Sequence, residues 1–194
     1  ALPGPYGVGD LGEDSFRYVE WLAEAGVQWW QILPLNPPGA GNSPYSSLSV
    51  FAGNPLFISP DQMVEDGLLE KGDVEPAPDV PAWAVDYERA VPFKRTLLER
   101  AWKRFQTGVI SRLSDHFETF RQAASSWLED YALFMSIREA HELHAWPSWP
   151  TPLSRREPEA LAEWRRTHEE RIGFHEFCQF LFFTQWQELH NHAN

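Results

Sequence analysis

The hydrophobic positions near the N-terminus follow a helical period and then change to an apolar run. After Gly12 the apolar residues recur at the spacing of one helix face, at Phe16, Val19, Leu22 and Ala23. Glu13 and Asp14 place negative charge in the first turn, where it is favoured, and Gly26 ends the predicted helix. Residues 27–35 (VQWWQILPL) are then apolar on both faces, which predicts a parallel strand that is buried on both sides.

A loop rich in Pro, Gly, Asn and Ser follows the predicted strand, in residues 36–60 (NPPGAGNSPYSSLSVFAGNPLFISP). Long irregular loops in compact domains are usually functional. Because this loop leaves the C-terminal end of a strand, where α/β folds bind their ligands, it is the best candidate for a binding site.

The rest of the chain is charged and helical in pattern. Periodic segments are predicted near residues 92–105, 111–124 and 126–144, with another helix from about residue 157. The final segment, residues 173–190 (GFHEFCQFLFFTQWQELH), is apolar over much of its circumference, so we expect a helix buried between layers. The pattern indicates an α/β protein with a mainly helical insertion.

Composition excludes several classes of protein. A net charge of −12 over 194 residues disfavours nucleic-acid binding, which needs clustered Lys and Arg. The single cysteine, Cys178, excludes an internal disulfide framework and fits a reducing compartment. The sequence has no apolar run of membrane-spanning length and no basic-then-apolar N-terminus, so we expect a cytoplasmic protein without a membrane partner.

The glycines of PYGVGDLG have the spacing of a dinucleotide-binding loop. Gly7, Gly9 and Gly12 match G-x-G-x-x-G, which suggests an oxidoreductase that binds a nicotinamide or flavin cofactor. That fingerprint requires a preceding strand and an acid about 20 residues later, and neither is evident here. A glycine-rich loop that leads into a helix explains the pattern better.

Other catalytic and metal-binding patterns are weak. His141 and His144 in HELH lie three residues apart, whereas the zinc-protease helix requires four. His175, Glu176 and Cys178 in HEFC lack a second cluster to complete a metal site, and we assign them to helix packing and polar capping. No nucleophile elbow, phosphate-binding loop or carboxylate pair of the glycosidase type is recognisable.

Three stretches together resemble the N-terminal part of 4-α-glucanotransferases, the amylomaltase or disproportionating-enzyme family (glycoside hydrolase family 77). They are LPGPYGVGDLG, WWQILPLNPPGAGNSPYSSLSVFAGNPLFIS and WLEDYALFMSIREAH. The resemblance implies a (β/α)₈ TIM barrel with helical insertions, of which this chain covers the part around strand 2. It implies barrel residues 1–59, a helical insertion at 60–171, and a helix returning to the barrel at 172–194.

The resemblance also implies the chemistry. The family transfers α-1,4-glucan segments to the 4-hydroxyl of an acceptor sugar by a retaining double displacement, without a cofactor or metal. Its catalytic carboxylates belong to later strands, so this chain alone should be inactive and should need the remainder of the barrel as its partner. In the SPY motif, Ser43 and Tyr45 are implied to bind α-1,4-glucans and maltooligosaccharides.

One departure from the family affects a second site. Several relatives have a tyrosine at a secondary glucan site where this chain has Ala40, which puts that site in doubt. Two alternatives remain: a glucan-binding module without catalysis, and the dinucleotide-dependent oxidoreductase suggested by the glycine pattern.

Overall fold

The computed structural model describes residues 2, 4–81 and 83–194, and this part of the chain is mainly helical. The α-helices are α1 (Glu13–Glu24), α2 (Pro60–Glu65), α3 (Tyr87–Gln106), α4 (Ser111–Ala123), α5 (Leu128–Ala140), α6 (Thr151–Ser154), α7 (Pro158–Thr167) and α8 (Glu169–Ala193). Short 3₁₀ helices lie at Ala40–Asn42, Pro55–Phe57, Lys71–Asp73 and Trp146–Ser148.

Helix α1 confirms the helix predicted at the N-terminus. Glu13 and Asp14 lie in its first turn, and Val19 faces the core. The chain turns at Gly26, whose φ of +73° is accessible to glycine at little cost. The hydrophobic pattern was therefore sufficient to place this helix.

The prediction of a buried strand at residues 27–35 is wrong for this structure. The segment is extended, but none of the described residues forms a strand beside it, and Trp29 is 89% exposed. A strand of a parallel sheet needs hydrogen-bonding neighbours at its edges and layers on both faces. The described residues provide helices and loops instead, so this apolar segment has no sheet to join.

Helix α8 is the centre of the main core, as its apolar circumference predicted. It contacts α1, α3, α4, α5 and α7. The stretch from Glu176 to Phe182 is buried without interruption, which is possible only for a helix covered on all sides. Despite its length, neither α8 nor another helix among the described residues is apolar enough to cross a membrane.

Helix α3 begins earlier than the periodicity predicted. The apolar periodicity predicts a start near Pro92. The structure has the start at Tyr87, where the Asp86 side chain accepts a hydrogen bond from the Arg89 amide at 3.1 Å. The cap at Asp86 therefore marks the helix start, and Pro92 lies inside the helix.

A second, smaller core joins α5, α6 and α7. Its buried members are Leu133, Ile137, Trp149, Leu153 and Leu161. Helix α5 ends at Ala140, before the predicted limit near residue 144, because Glu142 and Leu143 adopt positive φ values of +53° and +62°. Left-handed backbone at two successive residues cannot continue a right-handed helix.

A charged network joins α3, α5 and α8 beside the main core. Glu139 accepts hydrogen bonds from Arg95, from Arg171 and, at 3.1 Å, from His175. Burial alone would raise the pKa of Glu139, but the hydrogen bonds from His175 and Arg171 outweigh it and lower the pKa to about 2. This carboxylate therefore stays ionised at neutral pH and holds three helices together.

The network should make stability depend on pH through Glu139. Since its folded pKa lies below the ordinary value of 4.5, its contribution is present above pH 4.5 and is lost as the pH falls toward 2. We expect Glu139→Gln to be less stable than wild type at pH 7 by about 1–2 kcal/mol, allowing for partial solvent screening. Urea unfolding at several pH values should show this difference shrinking below pH 4.5, and parallel curves would contradict it.

Candidate functional site

A cavity of about 660 Å³ lies between the N-terminal loop, the extended segment at 27–35 and the long loop that follows it. Gly9, Asp10 and Leu11 contribute from the N-terminal loop, and Trp186 and Leu189 contribute from α8. The wall also includes Trp30, the residues from Gln31 to Asn36, Asn42, Pro44 and Tyr87. The predicted binding loop therefore borders the cavity, which makes this region the candidate site.

The long loop closes on itself by backbone hydrogen bonds. The Leu48 amide donates to the Pro37 carbonyl at 3.0 Å, and the Gly39 amide donates to the Ser46 carbonyl. Between these pairs the backbone turns through Gly41 and Asn42, whose φ values are +79° and +53°. Gly and Asn tolerate this left-handed conformation better than other residues. The sequence SPY is consequently presented at the end of the closed loop.

The two predicted binding residues lie at the rim of the cavity. Ser43 is half-buried, and its carbonyl accepts a hydrogen bond from the Ser46 amide at 3.1 Å. Tyr45 is 78% exposed. Their neighbours Asn42 and Pro44 line the cavity, whereas Ser43 and Tyr45 do not. An exposed tyrosine beside a cavity is available to a ligand without reorganising the core.

Sequence reasoning missed two aromatic residues of the cavity wall, Trp30 and Tyr87. Trp30 was assigned to the strand, and its edge contacts the Tyr18 ring with centroids 5.3 Å apart. Tyr87 begins α3, which the sequence placed five residues too late. A correct N-cap at Asp86 would have put Tyr87 at an exposed helix start.

Two buried glutamines of α8 fix the second half of the long loop at two points. The Gln179 amide oxygen accepts from the Gly53 amide at 2.7 Å, and its nitrogen donates to the Gly53 carbonyl at 3.0 Å. Gln185 accepts from the Ser59 amide at 2.7 Å and donates to the Ser59 carbonyl at 3.4 Å. Each side chain thus satisfies both backbone groups of one residue, as a neighbouring strand would.

A buried ammonium holds the N-terminal loop. Lys94 of α3 donates to Asp10 Oδ2 at 2.8 Å and to the carbonyls of Leu56 and Ile58 at 2.9 and 3.1 Å. Burial raises the pKa of Asp10 and lowers the pKa of Lys94, while each charge opposes the shift of the other. The geometry, with all three N–H donors used, supports an ion pair at neutral pH.

The glycines of the N-terminal loop are required by close contacts within the chain. A Cβ added at Gly9 would lie 2.3 Å from the Leu2 carbonyl oxygen, and one at Gly12 would lie 2.6 Å from Ser59 Oγ. Gly7 has a φ of +79° and packs against Ala90. Close approach and turning of the backbone therefore explain all three positions without a bound phosphate.

The histidine patterns have structural partners. His141 Nδ1 lies 2.8 Å from the Ile137 carbonyl, and its ring packs near Trp149 and Trp164. His175 bonds Glu139, whereas Glu176 pairs with Arg121 at 2.8 Å. Cys178 is buried, and burial raises the pKa of its thiol. In the described part of the chain, no group of three or more His, Cys, Asp or Glu side chains is arranged to hold a metal ion.

Comparisons with known proteins agree on one family. The family model described as 4-alpha-glucanotransferase, glycoside hydrolase family 77, matches residues 1–194. A 4-alpha-glucanotransferase of Synechocystis is 43% identical over 194 residues, which are all of this chain and 38% of that protein. One of Thermus thermophilus is 42% identical over 189 residues, covering 97% of this chain and 37% of that protein.

A solved structure shows the same arrangement of helices and loops. Amylomaltase from Streptococcus agalactiae in complex with acarbose superposes with a TM-score of 0.92 at 36% identity, covering all of this chain and 39% of that chain. The fold is thus that of part of an amylomaltase structure. The chain belongs to the 4-α-glucanotransferase family, glycoside hydrolase family 77. It spans less than two fifths of the length of these relatives.

The contact between Gly53 and Phe182 should be intolerant of any side chain. An added Cβ would lie 2.0 Å from a ring carbon of Phe182, inside the core beneath the long loop. We expect Gly53→Ala to lower the free energy of unfolding by about 1–3 kcal/mol, the usual cost of overpacking. Gly72→Ala is the matched control, because no atom lies within 4 Å of its Cβ position. Equal urea midpoints for the two variants would contradict this expectation.

Proposed function

We propose that this chain forms part of a 4-α-glucanotransferase, which transfers α-1,4-glucan segments to the 4-hydroxyl of an acceptor sugar by a retaining double displacement. The family match over the whole chain carries this proposal. The relative solved with acarbose supports an oligosaccharide as the ligand class. No cofactor is required, because a carboxylate pair supplies both the nucleophile and the proton.

We infer that residues 27–35 form the second strand of a (β/α)₈ barrel in the complete enzyme. The segment is extended, apolar and exposed, with Leu33 at 55% exposure, as expected for a strand whose neighbours lie elsewhere in the protein. On this proposal residues 1–59 are barrel, residues 60–171 a helical insertion, and residues 172–194 the helix returning to the barrel. The remainder of the barrel is then the main partner of this surface.

The catalytic carboxylates should come from that remainder. Retaining glycosidase chemistry uses two carboxyl groups roughly 5–5.5 Å apart. Of the described residues that line the cavity, Asp10 is the one carboxylic acid. Both of its oxygens are occupied, Oδ2 by Lys94 and Oδ1 by the Gly12 amide at 3.1 Å. Asp10 is therefore a poor candidate for nucleophile or proton donor.

The binding function of this chain is assigned to the rim of the cavity. Ser43 and Tyr45 lie at the end of the closed loop, and Tyr87 is a residue of the cavity wall. Aromatic faces cover the apolar C–H surface of a sugar, while hydroxyl groups bond its oxygens. This chain has Ala40 where several relatives have a tyrosine, so we propose no secondary glucan site there. The Ala40 side chain lies outside the described part of the structure.

Two other functions fit the observations less well. A glucan-binding module without catalysis would use the same rim, and it differs from the proposed enzyme in binding maltooligosaccharides without converting them. A dinucleotide-dependent oxidoreductase loses its main support, because internal contacts account for Gly7, Gly9 and Gly12.

The proposal predicts that the complete enzyme is active and that the 194-residue chain alone is not. The full-length protein containing this chain should convert maltotriose to glucose and longer maltooligosaccharides, measured by chromatography. The purified 194-residue chain should show no conversion, because it lacks the carboxylate pair. Conversion by the chain alone would contradict our placement of the catalytic residues, and an inactive full-length protein that still binds maltooligosaccharides would favour the binding module.

Substitutions at Tyr45 test the proposed binding rim. In the full-length enzyme, Tyr45→Phe should lower kcat/KM for maltotriose. The decrease should correspond to the loss of one hydrogen bond, about 0.5–1.5 kcal/mol of transition-state binding free energy. Tyr45→Ala should reduce it further, with little change in Tm, because the side chain is largely exposed. Trp146→Ala is the control, since Trp146 is also exposed but, unlike Tyr45, has no sequence neighbour that lines the cavity. A large fall in Tm with unchanged kcat/KM for Tyr45→Ala would make Tyr45 a structural residue.

A further inference from the structure

We propose that the buried pair formed by Lys94 and Asp10 consists of positioning residues that hold the N-terminal loop as one wall of the glucan site. This inference rests on the proposed function of the cavity. Neither residue is assigned a step in bond cleavage. The pair acts through the N-terminal loop, of which Gly9, Asp10 and Leu11 line the cavity.

The Lys94 ammonium joins three separate parts of the chain. It projects from α3, bonds Asp10 in the N-terminal loop, and bonds the carbonyls of Leu56 and Ile58 in the segment before α2. Lys94 is 1% exposed, so water cannot replace any of these partners. Removing one charge would leave the other buried without a counter-charge, which is among the more disruptive changes in a protein interior.

Asp10 connects the Lys94 ammonium to the backbone of the N-terminal loop. Its Oδ1 accepts from the Gly12 amide, and its carbonyl accepts from the Ser15 hydroxyl at the start of α1. The adjacent Leu11 amide donates to the Phe57 carbonyl at 2.9 Å. The loop is therefore held at Asp10 and directly after it, and the ion pair adds a charged contact with α3.

The remaining charged neighbour also fixes this loop. Asp61 of α2 accepts a hydrogen bond from the Tyr6 hydroxyl at 2.6 Å, and the Lys94 ammonium lies 6.0 Å from the centre of the Tyr6 ring. Asp61 has its own donor in Tyr6, so Asp10 is the carboxylate that directly bonds the Lys94 ammonium.

Helix α3 connects the anchor to a second wall of the cavity. Tyr87 lines the cavity and lies seven residues before Lys94, which places the two residues on the same face of α3. The ammonium, together with the hydrogen bond from the Asp86 amide to the Gly7 carbonyl at 2.9 Å, therefore holds the N-terminal part of α3 against the loop around Asp10. Lys94 itself does not line the cavity, so its effect on a bound glucan must be indirect.

The test is Asp10→Asn in the full-length enzyme, with Glu176→Gln as the matched control. Both changes replace a buried carboxylate bonded to a cation by an amide, but Glu176 pairs with Arg121 away from the cavity. Well below Tm, Asp10→Asn should raise KM for maltotriose at least about fivefold with a smaller change in kcat, since it disturbs binding geometry and leaves the catalytic groups in place. Glu176→Gln should leave KM within about twofold of wild type even if Tm falls equally.

Hydrogen exchange provides a readout that is independent of activity. In Asp10→Asn the amides of Gly9 to Gly12 should exchange at least about tenfold faster than in wild type, and in Glu176→Gln they should not. Lys94→Met should reproduce both effects, and the double variant should be less impaired than the sum of the two single changes. Unchanged KM and exchange in Asp10→Asn, or equal effects in the control, would overturn the inference. A wild-type enzyme without glucan transfer would refute the proposed function instead, while the exchange data would still decide whether the pair holds the loop.

Discussion

The structure depends on the middle of α8, from Glu176 to Phe182, which is buried on every side. A helix in that position can carry a polar side chain only where that side chain has a partner, because an unsatisfied buried group costs about 1–3 kcal/mol. The polar residues of α8 meet this requirement: Gln179 and Gln185 bond loop backbone, Glu176 bonds Arg121, and His175 bonds Glu139. Each pairing also determines which element can pack against that part of α8. The hydrogen bonds that these polar side chains require therefore fix the positions of the neighbouring loops and helices.

The hydrogen bonds made by polar side chains of α8 also determine the geometry of the candidate site. The part of the long loop between Asn36 and Gly53 buries few apolar side chains, yet both of its ends are fixed. Gln179 accepts a hydrogen bond from the Gly53 amide, and Asn36 donates to the Ala52 carbonyl at 2.9 Å. Between these points the loop is held by its own backbone hydrogen bonds, by the hydroxyl groups of Ser47 and Ser49, and by two residues with positive φ. A loop rich in Gly, Ser and Asn can thus adopt one defined conformation, and Tyr45 can keep its position while it is exposed.

Periodicity predicted the elements whose stability is local or fully apolar, such as α1 and α8, and turn residues predicted the long loop. It failed where partners are distant in sequence. Lys94 occupies a position that reads as a solvated helix face, and only its contact with Asp10, 84 residues away, explains its burial. The pairing of Gln179 with Gly53 spans 126 residues and is equally invisible to a local pattern. Ser43 and Tyr45 came from a family motif, whereas Trp30 and Tyr87 required the structure.

The wrong prediction at residues 27–35 has a different origin, because the apolar pattern is typical of a strand but the described residues provide no neighbouring strands. Nearby backbone and polar groups are well satisfied, by Lys94 on one side and Gln179 on the other. Several apolar side chains of this segment are exposed, among them Val27, Trp29 and Leu33. Exposed apolar side chains also occur elsewhere, as at Val50 and Val109, so exposure alone does not single out this segment. What distinguishes it is an extended, apolar backbone without neighbouring strands among the described residues. Under the proposed function, the strands that would cover it and the catalytic carboxylates both belong to the remainder of the barrel.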